Sequence, residues 1–214
     1  MTENQEIKPA QKRSRITRDK LIAAFEDLLR EKYFDQITVA EIAERARVAV
    51  GTVYRRFKNK EAFIPVMLEQ QRLRQAAMLS DPEAGLRLSE DASLHEALRG
   101  IAHYTWKQIG EEAHVLRTLY LFARLKPEIV SDGWNSLEEQ GLNQIKMLLD
   151  HYSEEIKRTD LDKAAIMIFY FFNYILIERG LFGDLSSEFL ADFDAEDFAE
   201  EVADFAYGYL MIKD

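Results

Sequence analysis

The sequence has no cysteine. That excludes a disulfide framework, thiolate metal sites and a thiol nucleophile. Turn formers are scarce as well, with 9 glycines and 4 prolines in 214 residues, about half the share expected from average usage. Few turns mean few, long elements, and helices are favoured over many short strands. No run of alternating polar and apolar residues suggests a strand, and no internal repeat is visible. The most apolar stretch, Ala164 to Ile177, is interrupted by Asn173 and falls short of the twenty or so residues that span a bilayer. The polar start, MTENQEIKPAQKRSR, lacks the apolar stretch of a secretory signal. The expectation is a cytoplasmic protein without a membrane segment. The four histidines, His95, His103, His114 and His151, show no ligand spacing, and no nucleophile–base pattern or glycine-rich phosphate loop is present. The sequence therefore predicts no enzyme, no metal and no cofactor.

What is present is an uneven distribution of charge. The net charge is −10, but Met1 to Arg74 hold 16 basic and 11 acidic residues, a net of +5, which leaves −15 for the rest. A basic module built to meet phosphate, followed by an acidic body, fits that division.

Apolar spacing and caps predict about nine helices in an all-α fold. Thr17 is the expected cap of a first helix through Leu21, Ile22, Phe25, Leu28 and Leu29. Thr38 and Glu41 form a capping box that opens a short second helix, in which Val39, Ile42, Ala43 and Ala46 face inward. After the turn Arg47-Val48-Ala49, a third helix is expected over Val50 to Phe57. Asn59 is expected to cap a fourth running from Lys60 to about Leu79, kinked at Pro65. Further helices are expected over residues 93–109, 112–125, 127–157, 161–180 and near the C-terminus. The expected division is a basic tail over 1–14, a helix-turn-helix domain over 15–60 and a body over 61–214.

The third helix has two faces. Val53 and Phe57 are four apart and point to the core, which leaves Thr52, Tyr54, Arg55 and Arg56 outward with no acid among them. Gly51 removes a side chain where backbone N–H groups can approach a phosphate. These features suit a DNA recognition helix, the alternative being an ordinary solvated surface helix. The segment ITVAEIAERARVAVGTVYRRFKNKEAF resembles the DNA-binding signature of tetracycline-repressor (TetR) type regulators. Thr38, Ile42, Ala43, Ala46, Gly51, Thr52, Tyr54, Phe57, Lys60 and Glu61 stand at the positions of that signature. Arg47 departs from the turn glycine usual in the family, and Val50 from a commonly polar position.

The resemblance implies that Thr38, Thr52, Tyr54, Arg56 and Lys60 contact phosphates or base edges. Arg47, Val50 and Arg55 would set sequence preference. It further implies a homodimer on a near-palindromic operator, acting as a repressor that a small-molecule effector releases. The helix over 161–180 is apolar nearly all round, so it is expected to be buried on one side by its own domain and on the other by a partner. With the last helix it would supply Phe169, Phe172, Leu176, Phe205 and Tyr209 to the dimer interface. His103, Tyr104, Trp106, Trp134, Tyr170, Asn173 and Tyr174 are the candidates for lining a pocket for a lipophilic or aromatic effector. Lys8, Lys12, Arg13, Arg15, Arg18 and Lys20 form a basic arm suited to the DNA backbone. The alternative from another class is an all-α ligand-binding or scaffolding protein whose basic head meets a protein partner.

Overall fold

The computed structural model describes residues 9–80, 91–183 and 194–213. Among these, every regular element is helical: α1 Pro9–Glu31, a 3-10 turn Phe34–Gln36, α2 Val39–Arg45, α3 Val50–Tyr54 and a second 3-10 turn Lys60–Phe63. Then come α4 Ile64–Ser80, α5 Leu94–Leu125, α6 Pro127–His151, α7 Leu161–Phe182 and α8 Ala195–Leu210. Two compact units emerge, residues 1–69 with 118–130, and residues 70–117 with 131–214. The end of α5 and the start of α6 thus group with the basic N-terminal segment, where the sequence suggested a division near residue 60.

In the first unit, α1 buries Leu21, Ile22, Phe25, Leu28 and Leu29, the stripe read from the sequence. The helix begins earlier than expected, at Pro9. Thr17 is not its cap. Its hydroxyl donates to Arg13 O at 2.9 Å, the back-bond that a threonine inside a helix makes to the preceding turn. An aromatic core joins the segments: Phe57 stacks on Phe63 at 3.8 Å, Phe63 lies 4.9 Å from Phe25, and Phe34 sits edge-on to Phe25 and Phe122. Asn59 caps as expected, accepting from Ala62 N at 2.9 Å. The turn it caps is a 3-10 one, however, so Pro65 falls at the second residue of α4. There its missing N–H breaks no intrahelical bond, and the position asks for no kink.

In the second unit, the two helices expected over 93–109 and 112–125 are one. Gly110 does not stop it, because apolar residues at Leu98, Ala102, Ile109, Val115 and Leu119 keep one buried stripe through the glycine. Ser93 and Glu96 form the capping box at its start. α7 is capped by Asp160, which accepts from Lys163 N at 2.9 Å. At 22 residues α7 is longer than its most apolar stretch, and by length and composition alone it could cross a membrane.

One side of α7 is packed inside its own unit through Ala164, Ala165, Ile168, Phe172, Leu176 and Leu181. The other leaves Ile166, Met167 and Tyr170 about half exposed. Phe172 and Leu176 are therefore buried within this chain. Phe205 on α8, 70% exposed, lies beside the open side of α7, its ring 6.0 Å from Phe171. Phe169 is half-buried against Gly141, and Tyr209 is half-buried with Arg158 over its ring.

Gly180 is the most tightly enclosed of the described glycines: a Cβ there would lie 2.4 Å from Ile109 Cγ2 and 3.7 Å from Trp106. Gly180→Ala gains roughly 1 kcal/mol of helix propensity but overpacks a buried β-branched side chain, which costs about 1–3 kcal/mol. The expected net result is destabilisation, read as a lower urea midpoint.

Candidate nucleic-acid interface

The helix-turn-helix is built from three local devices. The first is the capping box at α2. Thr38 Oγ1 accepts from Glu41 N at 3.2 Å, and Glu41 Oε2 accepts from Thr38 N at 2.8 Å. Glu41 is also bound by the Lys32 ammonium. That hydrogen bond first, then the Thr38 backbone and hydroxyl, lower its carboxyl to about 2.

The second device is the turn. Arg47 N donates to Glu44 O and Val48 N to Ala43 O, both at 2.9 Å, the paired bonds of a Schellman motif. The residue between them must be left-handed, and Arg47 has φ 56°. Glycine is favoured there because it has no Cβ to clash. This is the position at which the sequence departs from the usual turn glycine.

The third is α3 itself, only five residues long and shorter than expected, with Arg55 and Arg56 in the turn that follows. Val53 and Phe57 are buried and hold it to the head. Val50 and Tyr54 are 42% and 56% exposed, and Arg47, Gly51 and Arg55 are exposed too. Apart from its chain neighbours and the backbone of its own helix, no atom comes within 4 Å of a Cβ built on Gly51, so space for a close approach exists. Arg55 donates to Thr52 Oγ1 at 2.9 Å.

Lys60 is different from its sequence reading. Its ammonium donates to Phe34 O at 2.6 Å and Ile37 O at 2.8 Å, and lies 4.2 Å from the centroid of the Phe34 ring. Partial burial holds it below the usual lysine value. The charge is spent on carbonyls that lead into α2, because a lysine at the start of this 3-10 turn reaches inward over the aromatic core. Lys60 is a fastener of the head.

Sequence reading also missed Ser14, whose hydroxyl oxygen accepts from Arg56 Nη1 at 2.9 Å. The signal was available: stepping back from Phe25 and Leu21 by helical spacing leads through Arg18 to Ser14. Of the basic arm, Arg13, Arg15, Arg18 and Lys20 are exposed on α1, while Lys8 lies outside the described residues.

Residues 21–65 match the family model for bacterial regulatory proteins of the tetR family. The head therefore carries the DNA-binding segment of that family. It is 25% identical over 193 residues to the HTH-type transcriptional regulator UidR of Escherichia coli K12, covering 90% of this chain and 88% of UidR. It is 33% identical over 72 residues to the regulator YvkB of Bacillus subtilis, covering 34% of this chain and 38% of YvkB. A transcriptional regulator from Rhodococcus shares the fold with a TM-score of 0.63 at 18% identity, over 90% of this chain and 94% of that one. So does FadR from Bacillus subtilis, solved with stearoyl-CoA, with a TM-score of 0.59 at 23% identity over 87% and 96%. Proteins of this family are DNA-binding transcriptional regulators and not enzymes.

The residues proposed from sequence to hold an effector are dispersed in role. His103 lies 3.6 Å from Glu200, and Trp106 is 6.0 Å from the Phe198 ring. Burial raises the Tyr104 phenol. Trp134 is half-buried. Asn173 donates to Phe169 O of its own helix. Tyr170 is 55% exposed and stacks on Tyr174 at 4.0 Å, which puts it on the open side of α7 and not in an interior pocket. An open depression of about 570 Å³ lies elsewhere, lined by Lys146, Asp150 and residues 159–162, and none of these seven residues borders it.

Two outcomes follow for the head. Glu41 has its carboxyl lowered from 4.5 to about 2, so its contribution to stability is complete above 4.5 and is lost as pH falls towards 2. Glu41→Gln should lower the urea midpoint at pH 7, and the gap to the parent should close on acidification through that window. Lys60→Ala should lower stability by about 2 kcal/mol, the scale for charged hydrogen bonds. The slope of DNA affinity against salt, which counts phosphate contacts, should stay unchanged.

Proposed function

We propose that this protein is a cytoplasmic, ligand-responsive repressor that binds a near-palindromic operator as a homodimer. The observation that carries the reading is the outward surface around α3. Arg47, Val50, Gly51, Tyr54 and Arg55 are all exposed there, with no acid between Ala46 and Lys60. In this reading Gly51, Tyr54, Arg55 and Thr52 meet base edges or nearby phosphates, Arg47 and Val50 adjust sequence preference, and Thr38 and Arg56 meet phosphates. Lys60 is left out, since its ammonium is already engaged.

The partner face is assigned to the open side of α7 and α8, with Ile166, Met167, Tyr170, Phe205 and Tyr209 as its residues. A helix that packs one apolar side and leaves the other in water favours association. Two heads then present recognition elements to successive major grooves, about 34–36 Å apart. The body, residues 61–214, is assigned to effector binding and dimerisation, with the head over 15–60. His103, Tyr104, Trp106, Trp134, Asn173 and Tyr174 remain the candidates for contacting a lipophilic or aromatic effector, and the fold is one in which FadR of Bacillus subtilis holds stearoyl-CoA. An effector that prefers a state with differently placed heads weakens DNA binding, and DNA weakens effector binding by the same factor.

The test is selection of duplexes from a random pool by the purified protein, followed by sequencing. The expected result is a near-palindrome with half-sites one helical turn apart. Recovery of single half-sites would overturn the dimer, and recovery of unenriched sequence at low salt would overturn operator recognition.

A further inference from the structure

Arg56 and Ser14 are far apart in sequence, yet Arg56 Nη1 donates to Ser14 Oγ at 2.9 Å. The guanidinium belongs to the turn after α3, where Arg56 N donates to Val53 O at 2.9 Å. A long side chain on a turn loses rotamer entropy when it docks, and an anchor that pre-sets it reduces that loss on binding. The nature of the anchor matters. Elsewhere in the head, arginines are held by carboxylates: Arg45 by Glu31 at 2.9 Å and Arg30 by Asp27 at 2.7 Å. A carboxylate clasp neutralises the cation it holds. Serine holds Arg56 without neutralising it, and the bond uses one of five guanidinium donors. The accepting hydroxyl keeps its own proton to donate. Arg13 and Arg15, on either side of Ser14, are both exposed.

We propose that Ser14 is a positioning residue for Arg56, holding its guanidinium ready for a DNA phosphate. The first turns of α1 then extend the DNA surface of α3. This rests on the reading of Arg56 as a phosphate contact, and the variants separate the two claims.

The experiment measures affinity for a random-sequence duplex across a salt series, with thermal melting alongside, for Ser14→Ala, Ser14→Thr, Ser14→Asp, Arg56→Ala and the double variant Ser14→Ala/Arg56→Ala. Arg56→Ala should weaken binding and flatten the salt slope by about one. Ser14→Ala should weaken binding about fivefold, the scale of one net hydrogen bond, with the melting temperature unchanged. Ser14→Thr should bind as the parent does, and the double variant no worse than Arg56→Ala. Ser14→Asp keeps a clasp but cancels the charge, so it should bind more weakly than Ser14→Ala. Additive losses in the double variant, parental binding by Ser14→Ala, or parental binding by Ser14→Asp would each overturn the positioning role. Parental binding by Arg56→Ala would overturn the phosphate reading beneath it.

Discussion

The stack of Phe57 on Phe63, at 3.8 Å and 17° between planes, fastens the end of the recognition element to the turn that opens α4. Around Phe63, which is fully buried, Phe25 of α1 and Phe57 meet, and Phe34 and Phe122 continue the cluster at 4.9 Å from each other. Three residues before Phe63, the Lys60 ammonium holds the carbonyls of Phe34 and Ile37. The segment that leads into α2 is therefore attached to the same short turn that supports the end of α3. Both ends of the helix-turn-helix depend on residues 60–63, which helps explain why so small a unit, with α3 only five residues long, presents an ordered surface. Lys126 also pairs with Glu61, so the α5–α6 corner takes part in the same joint.

Much of the head was legible because its signals are local. A Thr and a Glu three apart specify a capping box, and the box is there. Leu21, Ile22, Phe25, Leu28 and Leu29 repeat at helical spacing, and they are buried. What was not legible required knowing where a side chain goes over several ångströms. Lys60 sits in the family signature, but nothing in its neighbours shows that its ammonium turns towards carbonyls over twenty residues earlier. Thr17 was read as a cap because threonine caps well, although a threonine can equally bond back within a helix. The break expected between residues 109 and 112 is absent: a glycine such as Gly110 costs only about 1 kcal/mol in the middle of a helix, and the packed stripe on both sides outweighs that. α7 illustrates the hardest case. When every face is apolar, sequence cannot say which stripe meets its own chain, and the burial of Phe172 and Leu176 within it is visible only in the structure.

Charge is organised at two levels. At the coarse level a basic head precedes an acidic body. At the fine level, several cations of the head are already committed, Arg45 and Arg30 to carboxylates and Lys60 to carbonyls. Net charge by segment therefore overstates the positive surface that faces DNA. Among the described residues of the head, Arg13, Arg15, Arg18, Arg47 and Arg55 remain exposed.

The left-handed Arg47, at φ 56°, bears on the stiffness of the turn. A glycine there would have a broad basin of allowed angles, whereas a residue with a side chain has a narrow one. The narrower basin restricts hinge motion between α2 and α3 and lowers the number of conformations open to the unfolded turn. The head accepts local backbone strain of order 1–2 kcal/mol and in return fixes the angle at which its reading surface is offered. Under the proposed operator reading, a turn with so narrow a basin favours sites whose groove already has the matching shape.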